Sequence, residues 1–154
     1  AQRTAPEYGN IFDHFAVEFE YPGGVRVMSM CRQIPGCAER VEEKIVGTKG
    51  HAFGSGEISG PAAWKFEGEE ANPYVVEHAD NISAIRAGKP LNEGKRIAES
   101  TLCAILGRMS AYTGRAIGWD WGLNSSKLDL SPAKYEFGPV PVDPVAVPGK
   151  TPLT

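Results

Sequence analysis

Hydrophobic and polar residues alternate from Ile11 to Tyr21, with Ile11, Asp13, Phe15, Val17, Phe19 and Tyr21 on one face. Phe12, His14, Ala16, Glu18 and Glu20 fall on the other, and a period of two over such a run predicts a half-buried strand. Pro22-Gly23-Gly24 is a turn signal, and apolar residues resume from Val25 to Cys31, so the pair reads as a β-hairpin. Arg40 to Val46 predicts a further strand, closed by the Gly47-Thr48-Lys49-Gly50 turn. Weaker strand signals follow at His51 to Phe53, Glu57 to Ser59 and Ala63 to Phe66, separated by Gly and Pro. Short strands joined by tight turns point to antiparallel pairing rather than to βαβ units.

The period changes after Glu67. Asn72-Pro73 supplies an N-cap followed by Pro at the first helical position. Val75, Ala79, Ile82 and Ile85 then recur at helical spacing, and Gly88 marks the end. A second helix is predicted from near Asn92 to about Thr113, on the stripe Ile97, Thr101, Leu102, Ile105, Met109 and Tyr112, with Gly114 after it. Arg115 to Asp120 reads as one more strand returning to the sheet. Six of the twelve prolines lie between Pro132 and Pro152, which suits an extended arm and forbids a helix. The predicted fold class is therefore α+β: a mostly antiparallel β-sheet with two main helices packed on one face and a Pro-rich C-terminal arm. The expected division is a domain over 1–126 and the arm over 127–154.

Composition narrows the function classes. The 154 residues are 42% apolar and 23% charged, which is globular composition. A net charge of −3 without a Lys/Arg run offers no footprint for nucleic acid or an anionic membrane surface. No apolar stretch is long enough to span a bilayer, so the expectation is a soluble chain, cytoplasmic or periplasmic. The opening AQRTAPEYGN lacks an initiator Met and a signal peptide, and reads as a processed product or a piece of something longer. Cys31, Cys37 and Cys103 form no C-x-x-C pair; one disulfide, Cys31–Cys37, is conceivable, but reduced, partly buried thiols are expected.

Several motifs invite chemistry. Gly54-Ser55-Gly56-Glu57-Ile58-Ser59-Gly60 superficially suggests a dinucleotide loop, but its last spacing is one residue long and Pro61 stands where a helix should open. It reads as a turn, leaving no cofactor-binding residue. His14, His51 and His78 lack metal-ligand spacing, so no metal is expected, and His78 reads as a core-edge residue. Adjacent residues of a regular strand point to opposite faces, so Asp13 and His14 are expected not to serve one site. Asp13 reads as a strand-end carboxylate holding a loop. His14 reads as a hydrogen-bonding or proton-carrying candidate. Arg32 and Gln33, at the end of the second hairpin strand, have donor geometry suited to hydroxyls or carboxylates, or form an exposed turn pair. Trp64, Trp119 and Trp121 serve either a carbohydrate platform or packing. The sequons at Asn81 and Asn124 carry little weight, the first lying within a predicted helix. Neither paired carboxylates nor an activated nucleophile recommends a self-sufficient hydrolase.

The order of several strings resembles the C-terminal domain of the Gfo/Idh/MocA oxidoreductases, in particular a bacterial subgroup acting on sugars. These strings are Tyr8-Gly9-Asn10-Ile11-Phe12-Asp13-His14-Phe15, Met30-Cys31-Arg32-Gln33-Ile34-Pro35-Gly36 and Val46-Gly47-Thr48-Lys49-Gly50. They continue with Glu77-His78-Ala79-Asp80, Ile85-Arg86-Ala87-Gly88-Lys89-Pro90-Leu91-Asn92, Ala98-Glu99-Ser100-Thr101 and Arg108-Met109-Ser110-Ala111-Tyr112-Thr113-Gly114. The resemblance implies an N-terminal Rossmann domain for NAD or NADP, absent from this chain, and a second domain whose sheet closes the substrate site and joins subunits. It implies the substrate-side and oligomerisation part of an NAD(P)-dependent oxidoreductase on a sugar or sugar-like polyol, inactive alone. The family's Glu-Lys-Pro lysine has no counterpart here, and its Asp/His acid–base segment would precede residue 1, so no catalytic residue is assigned. His14, Arg32 and Gln33 are the candidate substrate-binding residues. A homo-oligomer through the sheet face is expected. The rival reading is a non-catalytic carbohydrate-binding or assembly module that keeps the fold.

Overall fold

The computed structural model describes residues 5–154, so the first four positions of the expected 1–126 domain lie outside the described residues. β1 (His14–Tyr21) and β2 (Val25–Arg32) form the expected hairpin around Pro22–Gly24. Their register runs from His14 opposite Arg32 to Tyr21 opposite Val25. β3 (Lys44–Gly47), β4 (Gly50–Phe53), β5 (Glu57–Ser59) and β6 (Trp64–Lys65) form a second antiparallel sheet in chain order. The class is α+β with antiparallel strands, and the strands fall into two sheets rather than one. Each strand pairs with its sequence neighbour, so hairpin contacts alone account for both ladders.

Two compact units result. One runs to Pro35 and resumes from Glu93 to Thr154; the other is Gly36–Asn92. The second unit holds β3 to β6 and α1 (Pro73–Arg86). Asn72 caps α1 by accepting a hydrogen bond from the Tyr74 N–H at 3.0 Å, with Pro73 in the first turn, as the sequence predicts. The apolar positions Val75, Ile82 and Ile85 of this helix are exposed.

In the first unit, α2 (Gly94–Thr113) lies against β1. Its interior Gly107 makes the close approach possible: a Cβ there would stand 2.7 Å from Phe19 Cζ and 3.5 Å from Val17 Cγ1. Phe12, Leu106 and Met109 are the buried apolar residues, joined by Thr113, whose hydroxyl donates to the Met109 carbonyl at 2.8 Å. α2 ends at Gly114 in the left-handed conformation, its N–H bonded to the Ser110 carbonyl. The strand expected over Arg115 to Asp120 is not formed: 115–118 are irregular and Trp119 opens the short helix α3 (Trp119–Asn124). Gly118 caps that turn, and Gly122 packs against Leu106, so tertiary contact overrides the aromatic strand preference.

The arm beyond residue 126 has no regular secondary structure, as its prolines predict. It returns to α2, where the Gly149 N–H donates to the Thr113 carbonyl at 2.8 Å, and the Ser126 hydroxyl donates to the Thr154 carbonyl at 2.9 Å. All three thiols are free; Cys31 is exposed instead of partly buried, because both faces of β2 are open, Cys37 is exposed beyond the end of that strand, and Cys103 is half-buried.

Candidate functional site

The open end of the β1–β2 hairpin gathers the three residues singled out from the sequence. A three-residue turn centred on Gly23 puts His14 opposite Arg32, and Gln33 follows directly. The Gln33 backbone N–H donates to the Asp13 carbonyl at 2.7 Å, extending the ladder one step beyond the regular strands. His14, Arg32 and Gln33 are exposed, whereas the Asp13 side chain retains only 4% accessibility.

Asp13 corrects a sequence expectation. It lies one residue before β1, where strict alternation no longer applies, and its Oδ1 stands 2.7 Å from His14 Nδ1. The two residues therefore share one site. A cavity of about 150 Å³ adjoins Asp13, lined also by Tyr8, Ile11, Phe12 and Gln33.

An aromatic cluster supports this end of the hairpin from the α2 side. Phe12 and Tyr112 rings lie 4.5 Å apart, Phe15 sits 6.0 Å from Tyr112, and the Tyr112 hydroxyl accepts from the Phe12 N–H at 3.3 Å. The Arg108 guanidinium stacks 4.8 Å from the Tyr112 ring centre. Tyr112 also borders a larger cavity of about 550 Å³ between α2 and the arm, where Asn10, Arg108, Asp143 and Thr151 add further polar groups. The sequence reading missed this cavity, although Arg108 and Tyr112 stand four residues apart on one helix face, which is a legible signal.

The remaining candidates are not brought together. Trp64 is exposed on β6 in one unit, and Trp119 and Trp121 belong to α3 in the other. His78 is exposed beside Glu77 at 3.7 Å, not at a core edge, and His51 packs edge-on to Phe53. Among the described residues, no cluster of His, Cys, Asp and Glu is arranged to hold a metal ion. Gly54 to Gly60 form the turn and strand from β4 to β5, with the Gly56 N–H bonded to the Phe53 carbonyl. That loop opens no helix, so it does not fit a dinucleotide pyrophosphate. No helix among the described residues is long and apolar enough to cross a membrane.

Chemically, the hairpin end offers a planar guanidinium, a side-chain amide and an imidazole fixed by a buried carboxylate. This is a donor and acceptor set suited to a polyhydroxylated ligand. No family model, curated protein or solved structure matches the chain.

Proposed function

We propose that this chain is the substrate-side and oligomerisation domain of an NAD(P)-dependent oxidoreductase acting on a sugar or sugar-like polyol. The observation that carries the reading is the convergence of His14, Arg32 and Gln33, with buried Asp13, on one hairpin end. The resemblance of the ordered strings to the Gfo/Idh/MocA oxidoreductases supplies the reaction class. The Gly54–Gly60 loop opens no helix for a pyrophosphate, and in this reading the cofactor is held by residues outside this sequence. The part played here is to bind and orient hydroxyl groups: Arg32 and Gln33 donate hydrogen bonds, and His14 offers a ring nitrogen.

The test is the complete reading frame assayed for NAD(P)H formation over a panel of hexoses and hexitols, beside this chain alone. Turnover in the former only, with Arg32→Ala raising KM, supports the assignment. An Arg32→Ala enzyme with unchanged kcat and KM removes Arg32 from the site, and no turnover on any member of the panel rejects the oxidoreductase reading.

The accessible surface favours the oligomerisation part, and would equally suit a non-catalytic assembly module. Val25, Val27, Met28 and Met30 are exposed along β2, and Ile45 and Val46 along β3. Such surface is what subunits bury on association. Light scattering at tens of micromolar should give a mass that is a multiple of 16.6 kDa, and a monomeric mass refutes self-association.

A further inference from the structure

The three histidines of this chain differ in what holds them. His78 has an exposed glutamate at 3.7 Å, and His51 has an aromatic edge contact. His14 alone pairs with a buried carboxylate: its Nδ1 lies 2.7 Å from Asp13 Oδ1, and the two side chains are 51% and 4% accessible respectively. An ionised carboxylate can only accept a hydrogen bond, so the nitrogen facing it must carry the proton. Asp13 is held in turn by its surroundings, because its carbonyl accepts from the Gln33 N–H and its neighbour Phe12 is locked under Tyr112. A buried, fixed acceptor beside a half-exposed ring is an orienting pair and not a surface ion pair.

Resting on the ligand-binding reading above, we infer that Asp13 is a positioning residue that holds neutral His14 in its Nδ1–H form. Nε2 is then the unprotonated nitrogen, set to accept a hydrogen bond from a ligand hydroxyl beside the donors Arg32 and Gln33. Free histidine in water prefers the opposite tautomer, so the carboxylate must impose this one.

Among the described residues, the charged and polar groups near His14 have other roles than bonding to Nδ1. Arg32, opposite it on β2, is a donor only. Glu18 and Glu20, farther along the same strand face, are engaged by Arg26. From α2, Tyr112 and Arg108 stack on each other in the aromatic cluster on the far side of Phe12. Tyr8 borders the small cavity with Asp13.

The test is nitrogen-15 NMR of the imidazoles in this chain at alkaline pH, with His14 assigned by His14→Gln. The expected spectrum shows a proton-bearing Nδ1 and a pyridine-like Nε2 for His14, and the Nε2–H form for exposed His78. Asp13→Ala removes the acceptor that faces Nδ1, so His14 should shift toward the Nε2–H form while the backbone spectrum stays folded. An Nε2–H form in the unsubstituted chain, or a tautomer unmoved in a folded Asp13→Ala, overturns the inference. Sorbitol is then added to the unsubstituted chain. A shift at His14 Nε2 supports the acceptor role. No shift, with the Nδ1–H form intact, overturns the ligand-binding reading and leaves the positioning role of Asp13 standing.

Discussion

Gly107 offers a sharp test of how α2 meets the hairpin. In an exposed helix interior, Gly→Ala is stabilising by about 0.8–1 kcal/mol, because alanine restricts the unfolded chain and shields the backbone. Here the new methyl would stand 2.7 Å from Phe19 Cζ, 3.3 Å from Phe19 Cε1 and 3.5 Å from Val17 Cγ1. The ring must retreat by roughly 1 Å to restore ordinary contact, and overpacking of this kind costs about 1–3 kcal/mol. The two effects oppose each other, so Gly107→Ala should lower stability by up to about 2 kcal/mol. The assay is urea denaturation followed by circular dichroism, in a double-mutant cycle with Phe19→Leu. Removing the ring tip should free the alanine to show its helical benefit, giving a coupling of about 1–3 kcal/mol. If Gly107→Ala stabilises the chain by about 1 kcal/mol beside an intact Phe19, with no coupling, then α2 does not rest on β1 at this point.

Two further outcomes follow from side chains already described. Gly114→Ala forces an L-residue into the left-handed region and brings its Cβ to 3.0 Å from Pro148 Cβ and the Gly149 nitrogen. A loss of about 1–3 kcal/mol is expected, with faster hydrogen exchange at the Gly149 amide, and an unchanged midpoint refutes it. The Tyr21 hydroxyl lies 3.4 Å from Cys103 Sγ; this hydrogen bond, aided by partial burial, raises its pKa above the ordinary tyrosine value of about 10. The unfolded chain then loses this proton before the folded chain does. Stability should therefore fall as pH rises from about 10 toward the raised folded value. Tyr21→Phe should lack that alkaline fall, and an identical pH profile in both proteins shows that the pair has no energetic role.

Local periodicity carried much of the architecture. The alternation from Ile11 to Tyr21 and the Pro22-Gly23-Gly24 turn predict the hairpin, and a loop centred on Gly23 already implies that His14 faces Arg32. Asn72-Pro73 and the stripe ending at Gly114 locate the two long helices to within a residue or two. The parting of the strands into two sheets was not legible, because it depends on which edges remain unpaired and no periodicity records that. α3 was misread because Trp119 and Trp121 favour strands locally, while Gly122 against Leu106 decides the outcome through packing. The Asp13–His14 contact was missed for a geometric reason: alternation holds within a ladder, and Asp13 stands just outside it.

The first unit is discontinuous, since its hairpin ends before Pro35 and the helix that covers it begins at Gly94. The second unit is thus an insertion within the first, and its presence sets an order of folding events. The hairpin closes over three residues, whereas docking α2 onto β1 must first close a loop containing the whole of 36–92. Closure entropy grows by about 0.6 kcal/mol per doubling of loop length, so the second step carries roughly 2.5 kcal/mol more than the first. The hairpin should therefore be formed in the folding transition state while the α2 contact is still absent. Gly107→Ala would then accelerate unfolding and leave the refolding rate unchanged, which stopped-flow measurement of both limbs reads directly.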